Sequence, residues 1–195
     1  LGIIMGFTQG FSILISQRFG ANDADGLRKV TAMSALLSAI IAIVITAVSL
    51  LTAEPLLRLL NTPSNILPNS LSYLQIIFSG ASVVTAYNMM ASILRAMGDS
   101  RTPLYAMLVA SVINIVLDIV FVMFFHWGIP GAAAATVIAQ VFSCIFCFWV
   151  LRRMTILKMQ KSDWQPDRVL CRRLFQLGLP MAFQNTVIAG GGLVV

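Results

Sequence analysis

The sequence predicts an all-α integral membrane protein, a polytopic helix bundle of about six spans, and three observations carry the prediction. Of 195 residues, 58% are hydrophobic and only 10% are charged, and the mean hydropathy is +0.90, a composition suited to lipid. Apolar stretches near the length that crosses a bilayer, about 20 residues, recur at 1–18, 30–52, 70–93, 104–127, 130–151 and 174–195. Neither the period-two alternation of strands nor the spacing of a membrane barrel is visible. The spans are therefore read as helices, which satisfy their own backbone hydrogen bonds in hydrocarbon.

Taken in order, the first span carries Gly2, Gly6 and Gly10, a repeat that lets a second helix approach closely or eases bending. After the second span, AEPLLRLLNTPSNILPNS at 53–70 sets four leucines around Arg58 before two prolines, predicting a short interfacial helix and a turn. The third span opens on Tyr73. The fourth, LYAMLVASVINIVLDIVFVMFFHW at 104–127, holds one acid, Asp118. GIPG, Gly128 to Gly131, predicts a tight hairpin to the fifth span, with Trp127 at the headgroup level. RRMTILKMQKSDWQPDRVLCRR at 152–173 is the longest polar stretch and reads as a linker between two halves. The chain opens on Leu inside one apolar stretch and stops at GGGLVV inside another, so it reads as an internal piece of a longer protein.

Charge placement fixes the topology. Following the alternation of spans, twelve of the thirteen Lys and Arg residues fall on one side, and only Arg58 falls on the other. The positive-inside rule makes the first side cytoplasmic. The formal net charge of +6 is explained by this bias, with anionic lipid headgroups as neighbours rather than nucleic acid. The protein is expected to be multi-pass in the cytoplasmic (inner) membrane.

An acid at membrane depth is costly and by default marks an ion or substrate pathway. Asn114 and Asp118 are one helical turn apart and face the same way, with Ser111 extending the stripe. Thr136 and Gln140 form a second such pair on the next span. At the helical rise, Asp118 lies about 15 Å and Thr136 about 9 Å from the outer turn. Tyr73 enters from the same side. A site of Tyr73, Asn114, Asp118 and Thr136 is geometrically open, with Asp118, Asn114 and Thr136 able to offer oxygens to Na+. Taken singly, Thr136 and Tyr73 are better explained as interhelical hydrogen-bonding groups. For Asp118 the balance reverses, because no span offers a Lys, Arg or His to pair with it. Its carboxyl must be protonated, hydrated or cation-bound.

Other groups carry less. Cys144 and Cys147 lie in an apolar span and read as packing, and His126 as an interfacial side chain. The ten methionines and twelve phenylalanines fit an adaptable drug cavity, and fit lipid-facing or core filler better. No HExxH, Ser and His pair, intramembrane diaspartate or phosphate-cradling loop is present, so an enzyme and an ATP-driven pump are both disfavoured, and no cofactor is called for.

Several segments together resemble the multidrug and toxic compound extrusion (MATE) transporters: QRFGANDADGLRK at 17–29, ILRAMGDSRTPL at 93–104, NIVLDIVFVMFFHWGIPGAAAATVIAQ at 114–140, EPLLRLLNTP at 54–63 and GLP at 178–180. The resemblance implies helices 2 to 6 of an N-lobe over residues 1–151, a cytoplasmic linker over 152–173, and the start of a C-lobe, helix 7, over 174–195. It further implies a twelve-helix, two-lobe antiporter, monomeric when full length, that exchanges H+ or Na+ for organic cations and other toxic small molecules. Asn114 and Asp118 match the fifth-helix Asn and Asp of the family's N-lobe cation site, Thr136 its sixth-helix threonine and Tyr73 its fourth-helix tyrosine. The last two are most typical of the DinF-like branch. The family's first-helix acid would lie upstream of Leu1. Two other classes stay open: a lipid-linked oligosaccharide flippase of related fold, which would favour a basic cavity, and a non-transporting membrane scaffold.

Overall fold

A computed structural model of the chain describes residues 2–59, 67–157, 161–165 and 167–191. Among these the architecture is all-helical: α1 (Gly2–Gly20), α2 (Ala24–Leu59), α3 (Leu67–Ser79), α4 (Ala81–Ala96), α5 (Arg101–Asp118) running into a π-helical turn (Ile119–Phe124), α6 (Gly128–Arg153) and α7 (Arg168–Gly191). Four stretches are long and apolar enough to cross a membrane, namely α2, α3 with α4, α5 with its π turn, and α6. The helices α1 and α7 are long enough but carry more glycine and polar residues, and they pack on one another.

The small residues of α1 and α7 set their closeness. Gly6 lies against the backbone of Ala182, and a Cβ on Gly10 would stand 2.5 Å from the Gly178 Cα. A Cβ on Gly178 would in turn stand 2.5 Å from the Phe7 ring. The glycine repeat of the first span is thus used for close approach. Around it Phe7, Phe11, Ile15, Val30, Met33 and Leu174 form the main buried cluster, and Phe175 meets Phe7 edge-on at 5.8 Å between ring centres.

Three local readings are corrected. Residues 53–59, expected to belong to a separate interfacial helix, continue α2, which at 36 residues is about 54 Å long and overshoots a hydrocarbon core of about 30 Å. Its overshoot is polar enough to sit outside lipid, with Arg58 paired to Glu54 at 2.8 Å. The span at 70–93 breaks at Gly80, where a Cβ would stand 2.6 Å from Val137 of α6, so small residues admit a close crossing there too. GIPG is the first turn of α6 rather than the hairpin itself: the chain reverses at Phe125–Trp127 through the positive φ of His126 and Gly128, and Pro130 is tolerated where the helix needs no N–H. The turn expected at 60–66, Lys158 and the terminal 192–195 lie outside the described residues.

The two other motif segments are helix junctions with one shared chemistry. In GANDADG the positive φ of Asn22 ends α1, and the Asp23 carboxylate accepts the Gly26 N–H at 2.8 Å and the Arg18 guanidinium at 2.7 Å. In MGDSRTP the positive φ of Gly98 ends α4, and Asp99 accepts the N–H groups of Arg101 and Thr102 at 3.1 and 3.0 Å and the Thr102 hydroxyl at 2.6 Å. Each Asp supplies the acceptors that the first turn of the next helix lacks. The Gly26 and Arg18 bonds hold the Asp23 carboxyl below the usual carboxylate range. Burial pushes Asp99 up, but its bonds from Thr102 and Arg101 outweigh this and leave it lowered. Arg18, Arg28, Lys29, Arg95, Arg101, Arg152, Arg153 and Arg168 all fall at this same end of the bundle, and Arg58 at the other. Between α6 and α7, Asp163 is buried and its carboxylate stands 3.6 Å from Arg28, tying the connecting segment to the start of α2.

Candidate functional site

The hairpin of α5 and α6 brings the predicted polar stripes face to face. Asn114 donates through Nδ2 to the Thr136 Oγ1 at 3.4 Å, a bond between residues on two helices, and Thr136 donates to the Ala132 carbonyl at 3.0 Å. The pair is brought together by the packing of α5 on α6, where Ala132 to Ala135 keep the backbones close. Two further bonds lock the neighbouring helices. Ser143 donates to the Ala106 carbonyl at 3.0 Å, and the Tyr87 hydroxyl of α4 donates to the Pro103 carbonyl at 3.3 Å.

These side chains border a small open recess of about 240 Å³, in which Tyr87, Ser111, Asn114, Thr136, Gln140 and Ser143 stand among apolar groups such as Met107 and Ala139. Asp118 lies one turn beyond Asn114 and does not line the recess; its Oδ1 is shielded from solvent and has no hydrogen-bond partner. The Gln140 Oε1 is in the same condition within the recess. Each of these two shielded oxygens lacks a donor, one a turn from Asn114 on α5 and the other a turn from Thr136 on α6. The arrangement offers acceptors to a proton, a small cation or an ammonium group, and contains no cation of its own. Among the described residues no group of three or more His, Cys, Asp or Glu is placed to hold a metal ion.

The helix itself changes at the acid. Asp118 is the last α-helical residue before the π turn, in which the Phe125 N–H reaches back five residues to the Val120 carbonyl at 3.1 Å. Such single π turns are local irregularities often found where function resides. Here the wider turn closes against Phe121, Phe125 and Trp127, whose rings pack 5.1 to 6.2 Å apart.

The structure joins Asn114 to Thr136, and puts Asp118 next to them on one face of α5. Tyr73, on α3, is 39% exposed and does not line the recess. Tyr87 is the residue that reading the sequence missed: one tyrosine in an apolar span gives no cue, and its place at the recess depends on the crossing of α4 with α5. The tandem cysteines are free, with Cys147 buried, as packing requires.

A family model described as MatE matches residues 1–120. Over 200 aligned residues the chain is 32% identical to the probable multidrug resistance protein YpnP of Bacillus subtilis (strain 168), covering all of this chain and 44% of that protein. It is 26% identical to the multidrug export protein MepA of Staphylococcus saprophyticus, covering 99% of this chain and 44% of that one. Among solved structures, the inward-facing conformation of a multidrug resistance MATE family transporter of the MOP superfamily superposes with a TM-score of 0.87 at 29% identity, over 94% of this chain and 42% of that one. The chain thus spans less than half the length of the curated relatives it matches.

Proposed function

Since this chain belongs to the MatE family of membrane transporters, we propose that the protein containing it is a secondary active multidrug exporter, in which an ion moving down its gradient drives small toxic molecules, organic cations among them, out of the cell. The ion is H+ or Na+, and its N-lobe site is Asp118 with Asn114 and Thr136; Tyr73, exposed on α3 and outside the recess, is included on the family resemblance alone. The protein works as a monomer in the cytoplasmic membrane, without a cofactor and without catalysing a reaction. Residues 1–151 belong to the N-lobe, 152–173 link the halves, and the helix that follows begins the second lobe.

The observation that supports this reading is the Asp118 Oδ1, shielded and without a hydrogen-bond donor beside the Asn114 to Thr136 bond. An ionised carboxylate at that depth is costly until a proton or cation neutralises it. Ion binding and release therefore change which packing of α5 against its neighbours is favoured, and that differential is all that coupling requires. Each charge crossing the membrane potential contributes about 2.3 kcal/mol per 100 mV to the work. A flippase for anionic glycolipids is disfavoured, because no Lys or Arg lines the recess.

The test is efflux of a cationic dye from cells making the full-length protein. Asp118→Asn keeps the shape and removes the titration and the charge, so dye retention should rise to that of cells lacking the protein at equal expression. Full efflux by Asp118→Asn would sink the assignment. Unchanged behaviour of Asp118→Ala together with an absence of efflux by the unsubstituted protein would favour a scaffold instead.

A further inference from the structure

A second cavity lies on another side of the bundle from the polar recess. Helices α2 and α6 each pack on α4 but not on one another, leaving between them a groove of about 720 Å³ with α4 as its floor. From Thr31 to Ile43 it follows α2 for about 18 Å at the helical rise, roughly one leaflet of a hydrocarbon core about 30 Å thick. Its rims, Ile43 on α2 and Ile145 and Phe148 on α6, are exposed aliphatic and aromatic side chains, 67%, 58% and 56% accessible. These rims are apolar, as a face turned to lipid requires.

The cytoplasmic end of the groove differs from its length. Arg152 lines it there and has no acidic partner among the described residues, and Trp164 of the connecting segment lines it as well. No acid lines the groove. Inside, Thr31 and Ser38 are 1% and 4% exposed, and neither hydroxyl has a hydrogen-bond partner. We infer that this groove is a binding site for an anionic phospholipid of the cytoplasmic leaflet. One acyl chain fills the apolar length, the phosphate sits on Arg152, and the Trp164 indole lies at headgroup level. The charge excludes a cationic amphiphile as the preferred occupant, since its headgroup would meet Arg152 with like sign. The site is separate from the proposed cation site and does not depend on that reading.

The experiment reads Trp164 fluorescence in the full-length protein, isolated as the difference from its Trp164→Phe variant, in phosphatidylcholine vesicles containing acyl-brominated lipid. Brominated phosphatidylglycerol should quench at about one-fifth the mole fraction needed with brominated phosphatidylcholine, the preference that one basic residue confers at an anionic surface. Arg152→Gln should erase that preference while leaving quenching by phosphatidylcholine intact. Ala39→Phe, which adds bulk from the exposed wall of the groove, should reduce quenching by both. Equal quenching by the two headgroups in the unsubstituted protein would overturn the proposal, and so would quenching by neither, which would mean that a protein segment fills the groove.

Discussion

The two helix pairs α1 with α7 and α5 with α6 use small residues toward opposite ends. At the first, Gly6, Gly10 and Gly178 bring two backbones together so closely that no Cβ fits, and Phe7, Phe11 and Leu174 bury what remains. At the second, alanines bring the helices together only far enough to let Asn114 reach Thr136, and the shielded Asp118 and Gln140 oxygens are left without donors. One seam is complete. The other leaves two acceptors without a partner among the described residues, the feature on which the proposed cation site rests.

Substitutions can break the contrast. The largest effect should come from Asp118→Asn, which removes the ionisable group while preserving volume: gradient-driven export falls to background, with little change in thermal unfolding of the purified protein. Gly10→Leu should do the reverse in kind, lowering the unfolding midpoint because a side chain is forced against the α7 backbone, an overpacking cost of about 1–3 kcal/mol or more. Asp99→Ala, which strips the cap from α5, should cost about 0.5–2 kcal/mol. Because the Asp99 carboxyl is held below the usual carboxylate range, its contribution is present above the ordinary value of 3.8 and disappears as pH falls through the lowered one. The gap in unfolding midpoint between Asp99→Ala and the parent should therefore close in acid and stay constant from pH 5 upward. Smallest should be Thr136→Val, which loses one interhelical bond worth about 0.6 kcal/mol on average in membrane proteins, yet slows ion-coupled export more than it lowers stability.

How much of this could be read in advance depended on whether the signal was local. The helices, the clustering of cations at one end of the bundle and the isolation of Asp118 are properties of stretches and of spacing. The meeting of Asn114 with Thr136 is not: counted at the helical rise from the outer turn the two lie about 21 Å and about 9 Å deep, and the fold alone brings them into contact. The overshoot of α2 was not legible, since Pro55 and the leucines around Arg58 resemble an interfacial helix until the continuous backbone is seen. Neither was the break at Gly80, whose reason is the approach of Val137 from a helix far along the chain. Tyr87 and the π turn after Asp118 escaped for the same cause: their places depend on how α4, α5 and the aromatic cluster cross, and no spacing encodes a crossing.

The central claim is that the shielded Asp118 carboxyl is the group through which an ion gradient drives export. It is tested most directly with the full-length protein in proteoliposomes, by measuring substrate movement under a pH gradient and under a Na+ gradient imposed separately. The unsubstituted protein should respond to one of them, and Asp118→Asn should respond to neither while still binding substrate. Gradient-driven movement in Asp118→Asn at the unsubstituted rate would contradict the account.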